Sequence, residues 1–316
     1  MVKPDYYDKF KCIADQCRHT CCAGWEIDID EETLKRYKKS SGSLGKRLQE
    51  AIVMDESPHF KLDEKERCPF LNEQNLCDIY LKAGEKELCQ ICRDHPRFRN
   101  ECNGREEIGL GLCCEAAAKL ILGKKEKTIL IDDGQEAFLL TDPLDQEIFW
   151  TRKRAFEIVQ DRSRLVKDRA DRLLKEFQVC IPQLSQEAWI DFYLSLEQME
   201  GGWSSRLRRC GKQDVEENSL SHLEIPFEQL LVYLLYRHLP QSQGNVDILA
   251  QIGYVFVNYK LLYRLCLEEA EEKNCSLEDF CELVRLFSSE IEYSEENTDE
   301  LLNLIWEENN REQNWL

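Results

Sequence analysis

The sequence predicts a mainly α-helical protein, with an irregular, cysteine-rich metal-binding domain over residues 1–125 and an α-helical domain over residues 126–316. Three observations lead to this fold class. Eleven of the 16 cysteines lie in the first 114 residues, the same part is dense in turn residues, and amphipathic helical patterns follow one another from about residue 140. A chain of 316 residues is long enough for roughly two domains and can bury a sizeable core.

Short elements are predicted in the cysteine-rich part. Residues 25–30 alternate apolar and acidic side chains, which is typical of a strand or extended segment. Acidic residues follow that suit the first turn of a helix beginning near Glu31. Residues 40–43 are rich in serine and predict a loop or a break between helices. Residues 115–120 predict a helix, because they contain strong helix formers, and residues 128–131 predict a short strand.

Amphipathic helices account for the second part of the chain. Thr-Asp-Pro at residues 141–143 marks a helix start, because it offers an N-cap candidate followed by proline near the first helical position. Residues 161–163 predict the end of this helix, and an apolar stripe from Leu165 predicts the next one. Ser276, with an aspartate three residues later, resembles a capping box. The other predicted helices span residues 226–239, residues 246–271 and a segment that starts at Thr298.

The charge and the N-terminal residues exclude several classes of function. The chain has 42 Lys and Arg against 61 Asp and Glu, a formal net charge of −19, which argues against binding to nucleic acid or to an anionic membrane. The first ten residues lack the apolar stretch of a signal peptide, and no run of 18 apolar residues follows. We therefore expect a cytoplasmic bacterial protein whose thiols stay reduced, and grouped reduced thiols indicate metal ligands rather than disulfides.

The N-terminal cysteines have spacings that suit metal ligation. The first group is tight and consists of Cys12, Cys17, Cys21 and Cys22. Thiolates suit both zinc and iron–sulfur clusters. Zinc ribbons usually present two C-x2-C hooks, whereas this part of the sequence has one, at Cys89 and Cys92. The adjacent pair of cysteines in the first group is compatible with a larger cluster, so the spacing favours iron–sulfur while zinc stays open.

Several motifs follow one another in a fixed order. Residues 10–30 contain Phe-Lys-Cys, a further cysteine and then Cys-Cys-Ala-Gly-Trp-Glu-Ile-Asp-Ile-Asp. A CPFL box follows at residues 68–71, then a cysteine at 77, GE-x-x-L at residues 84–88, CR-x-x-PR at residues 92–97, GLC at residues 111–113 and QDRS at residues 160–163. This order resembles that of the flagellin lysine-N-methylases, within the wider zinc- or iron-chelating cysteine-cluster family. The resemblance covers about residues 7–175.

The resemblance implies an enzyme that transfers a methyl group from S-adenosylmethionine to the ε-amines of surface lysines on flagellin. It also implies a 4Fe–4S cluster held by the N-terminal cysteines. Carried over residue by residue, the candidate ligands are Cys12, Cys17, Cys21, Cys22, Cys68, Cys77, Cys92 and Cys113. Cys89 is a less regular position in the family, and Cys114 stands where the family often has proline, so neither is included.

Candidates for the methyl transfer itself lie beside the cysteines. The sequence has neither a G-x-G-x-x-G turn nor a C-x3-C-x2-C triplet. A lysine methylase must deliver a neutral amine, which needs a base or a lowered pKa of the lysine, and usually an aromatic or carboxylate-lined channel for the cation. Trp25, Asp28 and Asp30 are the candidates for this role, although Trp25 would also suit packing and the two aspartates a solvated strand face. Arg93 and Arg97 are candidates for holding the carboxylate of S-adenosylmethionine, with surface ion pairs as the alternative.

Two other classes of function compete with the methylase. In the first, the cysteines only fold a small zinc- or iron-chelating module, and the helical part docks a partner. In the second, the protein is a metal chaperone or a redox sensor with exchangeable thiols. Family membership alone does not fix the substrate, because the broader cysteine-cluster group includes members with no known activity.

Overall fold

The computed structural model describes residues 1–24, 26–55, 57–102, 105–134, 142–210 and 217–313. Its chain divides into two compact units. The cysteine unit comprises residues 11–98, and the helical unit comprises residues 1–10 together with residues 99–316. Residues 99–125 belong to the helical unit, so this division differs from the predicted domain boundary at residue 125. The predicted boundary at residue 125, which would separate two independent domains, stays a prediction.

Six strands are described: β1 (Val2–Pro4), β2 (Ile52–Met54), β3 (Pro58–Phe60), β4 (Arg97–Cys102), β5 (Arg105–Leu110) and β6 (Leu130–Asp132). They form a four-stranded sheet of order β4-β5-β1-β6 and a two-stranded sheet of β2 and β3. β1 runs parallel to β5, with Val2 opposite Glu107, and antiparallel to β6, with Val2 opposite Asp132. The strand predicted near residues 128–131 is therefore present, and it begins two residues later.

Thirteen α-helices lie within the described residues, which confirms a mainly α fold. They are α1 (Glu31–Lys39), α2 (Gly42–Ala51), α3 (Asp78–Ala83), α4 (Gln90–Asp94), α5 (Glu115–Leu122), α6 (Pro143–Val159), α7 (Val166–Phe177), α8 (Gln186–Ser195), α9 (Trp203–Arg209), α10 (Glu224–His238), α11 (Asn245–Glu272), α12 (Leu277–Phe287) and α13 (Glu295–Gln313). A π-helical turn, Ser288–Glu292, follows α12. In the described ranges, no helix is both long and apolar enough to span a bilayer.

The core of the cysteine unit combines aromatic rings with thiols. Phe60 packs between Tyr37 and Phe70, with ring centroids 6.0 and 5.0 Å away. The extended segment before α1 pairs with β3, because the Phe60 amide donates to the Ile27 carbonyl at 3.1 Å. Alternation along this segment buries Ile27 and Ile29, as expected for a half-buried strand. The predicted extended conformation is thus confirmed for the described part of residues 25–30.

Helix starts in the helical unit follow the predicted capping chemistry. The Asp142 carboxylate accepts hydrogen bonds from the amides of Leu144 and Asp145 at 2.8 and 3.2 Å, directly before α6. Ser276 and Asp279 form the reciprocal capping box of α12. Because these signals depend only on neighbouring residues, the sequence reveals them reliably. The last helix differs from its prediction, since α13 begins at Glu295 rather than at residue 298.

The QDRS stretch at residues 160–163 joins several elements of the helical unit. The Arg162 guanidinium contacts both carboxylate oxygens of Glu228 on α10, the closest at 2.8 Å. Arg169 on α7 donates to the same carboxylate at 2.6 Å. Gln160 donates to the Thr128 carbonyl at 3.3 Å. Glu228 is fully buried, so two arginines neutralise a charge that would otherwise be costly in the core.

Candidate metal centre

The C-x2-C pair lies at the start of α4. Cys89 precedes the first helical residue and Cys92 follows one turn later, which places both thiols on the same side of the helix. Their Sγ atoms are 3.3 Å apart, and Cys89 is only 1% exposed. The hydrogen bond from Cys92 lowers the pKa of the Cys89 thiol, while that bond and burial raise the pKa of Cys92. The two thiols therefore influence each other's ionisation.

Three further cysteines, Cys22, Cys68 and Cys77, belong to the same core as this pair. The Cys68 amide donates to the Cys22 carbonyl at 2.8 Å, and Cys77 forms a β-bridge with Leu71 in the following turn. Burial raises the pKa of Cys68 to about 12, with further contributions from the charges of Cys22, Cys77 and Cys89. The hydrogen bond from Cys21 lowers the pKa of Cys22 to about 7. These groups are therefore close enough to influence one another's ionisation.

We call this set the thiol cluster, and its members are Cys22, Cys68, Cys77, Cys89 and Cys92. All five pack with the aromatic core of the cysteine unit. Several soft donors that converge in a poorly solvated place fit a thiolate-held metal ion or an iron–sulfur cluster. Within the described ranges, no three His, Cys, Asp or Glu side chains already have the arrangement of a metal-ion site. The fit therefore rests on the chemistry and convergence of the thiols.

Other predicted ligands make different contacts. Cys12 is exposed, and its sulfur accepts a hydrogen bond from the Ala14 amide at 3.4 Å. The Cys17 sulfur lies 3.0 Å from the His19 carbonyl. Cys113 belongs to the helical unit, where burial raises the pKa of its thiol to about 12. A ligand role for these three residues stays a prediction.

The carboxylates proposed from the sequence for methyl transfer have clear structural partners. Asp30 is the N-cap of α1: its Oδ1 accepts from the Thr33 amide, and its Oδ2 accepts from the Gln90 amide, each at 2.9 Å. Burial opposes ionisation, but these bonds outweigh it and lower the pKa of Asp30. Asp28 is exposed and accepts a hydrogen bond from the Ser57 hydroxyl at 2.8 Å. Trp25 lies outside the described residues.

The two predicted cofactor-binding arginines follow the C-x2-C pair. Arg93 is in α4, and Arg97 begins β4. The Arg97 guanidinium donates to the Arg93 carbonyl at 3.1 Å, and both side chains are half-buried. This pair places two positive charges within a few residues of Cys92, where they would offset the negative charge of bound thiolates. Their role in binding a cofactor stays a prediction.

Cys89 belongs to the thiol cluster, but it is not among the ligands that the motif resemblance implies. The signal was present in the sequence as the C-x2-C spacing, which places two thiols on one side of a helix turn. Its exposure of 1% and its contact with Cys92 make it the best-shielded thiol of the cluster. A ligand role for Cys89 is therefore a proposal that rests on its position beside Cys92.

Comparisons with known proteins agree with the motifs. The family model described as the FliB lysine N-methylase C-terminal domain matches residues 107–315, more than half of the chain. The lysine-N-methylases of Salmonella typhimurium and Salmonella choleraesuis are each 27% identical over 143 residues, covering 41% of this chain and 36% of the relative. The flagellar biosynthetic protein FliU of Salmonella muenchen is 26% identical over 137 residues, covering 41% of this chain and 81% of the relative.

The match spans about a third of the length of the two lysine-N-methylases, and no solved structure matches the chain. The family model lies within the helical unit, whereas the cysteine motifs lie mostly in the cysteine unit. Both lines of comparison lead to the same group of proteins. The chain belongs to the FliB lysine N-methylase family.

Proposed function

We propose that this protein is a lysine N-methylase that transfers methyl groups from S-adenosylmethionine to lysine side chains of a flagellar protein, with flagellin as the expected substrate. The observation that carries the proposal is the family match over residues 107–315. The names of the relatives, lysine-N-methylase and flagellar biosynthetic protein, support the reaction and the flagellar context.

A metal centre in the cysteine unit is the second part of the proposal. The thiol cluster would hold a 4Fe–4S cluster through four of its five sulfurs, with Cys21 adjacent as a further donor. When bound, such a cluster would supply iron atoms that bind the cysteine thiolates and so hold the surrounding loops together. Burial raises the pKa of the Cys68 thiol, and the hydrogen bond with Cys89 together with burial raises the pKa of Cys92, so metal binding would release protons and depend on pH.

The chain must also hold the methyl donor and prepare the amine. Arg93 and Arg97 are proposed to bind the carboxylate of S-adenosylmethionine, because a guanidinium pairs with a carboxylate in a bidentate way. Trp25, Asp28 and Asp30 remain proposed for the acceptor side. Of the two aspartates, Asp28 is the freer, since both Asp30 oxygens accept backbone hydrogen bonds. The amine must be neutral, because its lone pair forms the new N–C bond as the C–S bond breaks.

A direct test uses the full chain purified without oxygen, labelled S-adenosylmethionine and purified flagellin. We expect label on lysines of flagellin with the wild type, and loss of transfer with Cys22→Ser. Cys180→Ser is the matched control, because this half-buried thiol lies outside the thiol cluster, and it should keep the wild-type rate. Absence of transfer from a metal-replete wild type contradicts the proposal.

A second candidate function is a non-catalytic chelating module with a partner-docking helical part. The observation that favours it is the position of Cys68 and Cys89 in the apolar core beside Phe60 and Phe70, where a metal would serve folding. Under this alternative the purified protein contains stoichiometric zinc and transfers no methyl group. The same transfer assay therefore distinguishes the two functions.

A further inference from the structure

His59 lies in the small antiparallel sheet of the cysteine unit. It is the central residue of β3, where it is opposite Val53 of β2 on one side and forms a β-bridge with Asp28 on the other. Side chains alternate along a strand, and the next residue, Phe60, is buried in the aromatic core. The imidazole of His59 therefore lies on the opposite, outward face of the sheet.

Three carboxylates share this outward face with the imidazole. Asp28 is directly opposite His59, and Glu26 lies on the same side of the extended segment, two residues earlier. The carboxylates of Glu26 and Asp55 lie 3.4 and 3.3 Å from His59 Nδ1, and both side chains are more than half exposed. In the described part of the cysteine unit, these are the titratable groups around the ring. We call Glu26, Asp28, Asp55 and His59 the His59 site.

The backbone fixes the tautomer of this imidazole. Nδ1 lies 2.9 Å from the Ser57 carbonyl oxygen, which can only accept a hydrogen bond, as can the two nearby carboxylates. The proton of a neutral His59 ring is therefore on Nδ1, and Nε2 has the lone pair. Nε2 makes no hydrogen bond to a described residue, and it is not one of the buried polar atoms that lack a partner, so it meets solvent. Many enzymes remove a proton with an imidazole that is oriented through one nitrogen and open at the other.

Asp28 offers an acceptor for an ammonium group on the same face. Its Oδ1 accepts a hydrogen bond from the Ser57 hydroxyl at 2.8 Å, whereas its Oδ2 has no partner among the described residues. Residues directly opposite each other in an antiparallel pair have Cβ atoms about 5 Å apart, so an ammonium group held by Asp28 is within reach of His59. Because Asp28 is exposed, a lysine on the surface of another protein can approach it without any opening of the fold.

The same extended segment leads to the residues proposed for the methyl donor. Asp30 lies two residues after Asp28, and its Oδ2 accepts a hydrogen bond from the Gln90 amide at 2.9 Å. Gln90 begins α4, which contains Arg93. Two residues of extended chain span about 7 Å, so the His59 site and the start of α4 lie near each other. The acceptor side and the donor side of the proposed reaction therefore both belong to the cysteine unit.

We infer that His59 is the base that removes a proton from the substrate lysine, while Asp28 holds the ammonium group. The inference rests on the proposed function and adds a catalytic residue to its acceptor side. The ammonium proton passes to His59 Nε2, since an imidazole is a stronger base than a carboxylate. The amine lone pair forms the new N–C bond as the sulfonium C–S bond breaks, and the thioether leaves with the electron pair. The imidazolium, stabilised by Glu26 and Asp55, then gives its proton to solvent.

The test compares His59→Ala with His222→Ala in the full chain purified without oxygen. At neutral pH we expect kcat/KM for methyl transfer to flagellin to fall about 100- to 10,000-fold for His59→Ala. Part of the rate should return when free imidazole is added, and also at alkaline pH, where lysine loses its proton unaided. His222 hydrogen-bonds the Cys275 carbonyl at 2.7 Å in the helical unit, so His222→Ala should keep the wild-type rate and should not respond to imidazole. Circular dichroism and metal analysis establish that each variant is folded and contains metal.

A second measurement is nitrogen NMR of the wild type and of Asp28→Asn during titration with Nα-acetyl-lysine amide. We expect the Nε2 resonance of His59 to shift in the wild type, because a donor then occupies its lone pair, and to shift less in Asp28→Asn. If His59→Ala does not fold, this titration decides, and an unchanged Nε2 resonance overturns the inference.

The outcomes separate the inference from the proposed function. A folded His59→Ala protein with the wild-type rate overturns the inference and leaves the proposed function intact. A low rate that neither imidazole nor alkaline pH restores shows a structural role for His59 and also overturns the inference. An inactive, metal-replete wild type contradicts the proposed function, and the inference falls with it.

Discussion

The two units differ in what fills their cores. The cysteine unit is built from short helices and two short strands, and its core combines a few aromatic and aliphatic residues with thiols. The helical unit contains a helix of 28 residues, α11, and a nearly completely buried one, α10. It can therefore enclose charged pairs such as Arg169–Glu228 and Arg237–Glu292. A small core needs a covalent or metal staple, whereas a large one can bury and neutralise charge.

The largest expected effect comes from breaking the thiol cluster. Because the folding of a small metal site and metal binding share one free energy, on the order of 10 kcal/mol, Cys68→Ser and Cys89→Ser should each lose the metal and unfold the cysteine unit. Metal analysis and limited proteolysis of the full chain measure this. Cleavage should fall within residues 11–98 and spare the helical unit.

Cys180→Ser is the control for these variants, and it should retain metal and the wild-type cleavage pattern. A Cys89→Ser protein with full metal content would show that Cys89 is not one of the ligands. A Cys68→Ser protein that keeps both its metal and its resistance to protease would contradict the assignment of the whole cluster.

A smaller but still large effect is expected from the buried charge network of the helical unit. Glu228→Gln leaves Arg162 and Arg169 without their shared carboxylate, and breaking a buried pair costs about 3–5 kcal/mol. Urea unfolding of Glu228→Gln, of a control variant and of the wild type measures this loss of unfolding free energy. The control is Glu147→Gln on the exposed side of α6, which should change the free energy of unfolding by less than about 0.5 kcal/mol. Equal changes in the free energy of unfolding for Glu228→Gln and Glu147→Gln would contradict the claim that the helical unit depends on its buried charge network.

The smallest effect concerns the cap of α1. Asp30→Ala should cost about 1 kcal/mol, because the amides of Thr33 and Gln90 lose their acceptor, whereas Asp30→Asn keeps an N-cap side chain. The folded-state pKa of Asp30 is lowered, so its carboxylate stabilises the fold above about pH 4 and loses this effect as the pH falls further. Asp30→Asn should therefore lose stability relative to the wild type at neutral pH but not in acid. Parallel pH curves for both proteins would contradict this role.

Local signals predicted much of the helical unit. The caps at Asp142 and Ser276 and the break after α6 depend on neighbouring residues, and the structure confirms them. Helices α8 and α9 were not predicted, and neither was the four-stranded sheet, because the pairing of β1 with β5 joins residues about 105 positions apart. The buried contacts of Tyr233, Arg237 and His238 with Glu292 escaped prediction for a similar reason. These polar side chains are scattered on apolar helices, and only tertiary packing shows that they meet.

In the candidate metal centre, the residue types could be predicted from the sequence, whereas their convergence is visible only in the structure. Cys22, Cys68, Cys77 and Cys92 were predicted and lie in the thiol cluster. Cys89 was doubtful as a ligand and was left out of the predicted set, and it is the most buried thiol of the cluster. Spacing predicts which thiols share a helix turn. It does not predict which distant loops lie side by side, as those of Cys22 and Cys68 do through their backbone hydrogen bond.

The most direct test of the account is metal analysis of the full chain purified without oxygen, with iron, sulfide and zinc measured on the same sample as the ultraviolet–visible spectrum. We predict about four irons and four sulfides per chain and a broad absorbance near 400 nm, as expected for a 4Fe–4S cluster. Stoichiometric zinc without iron would contradict the account and favour the structural module.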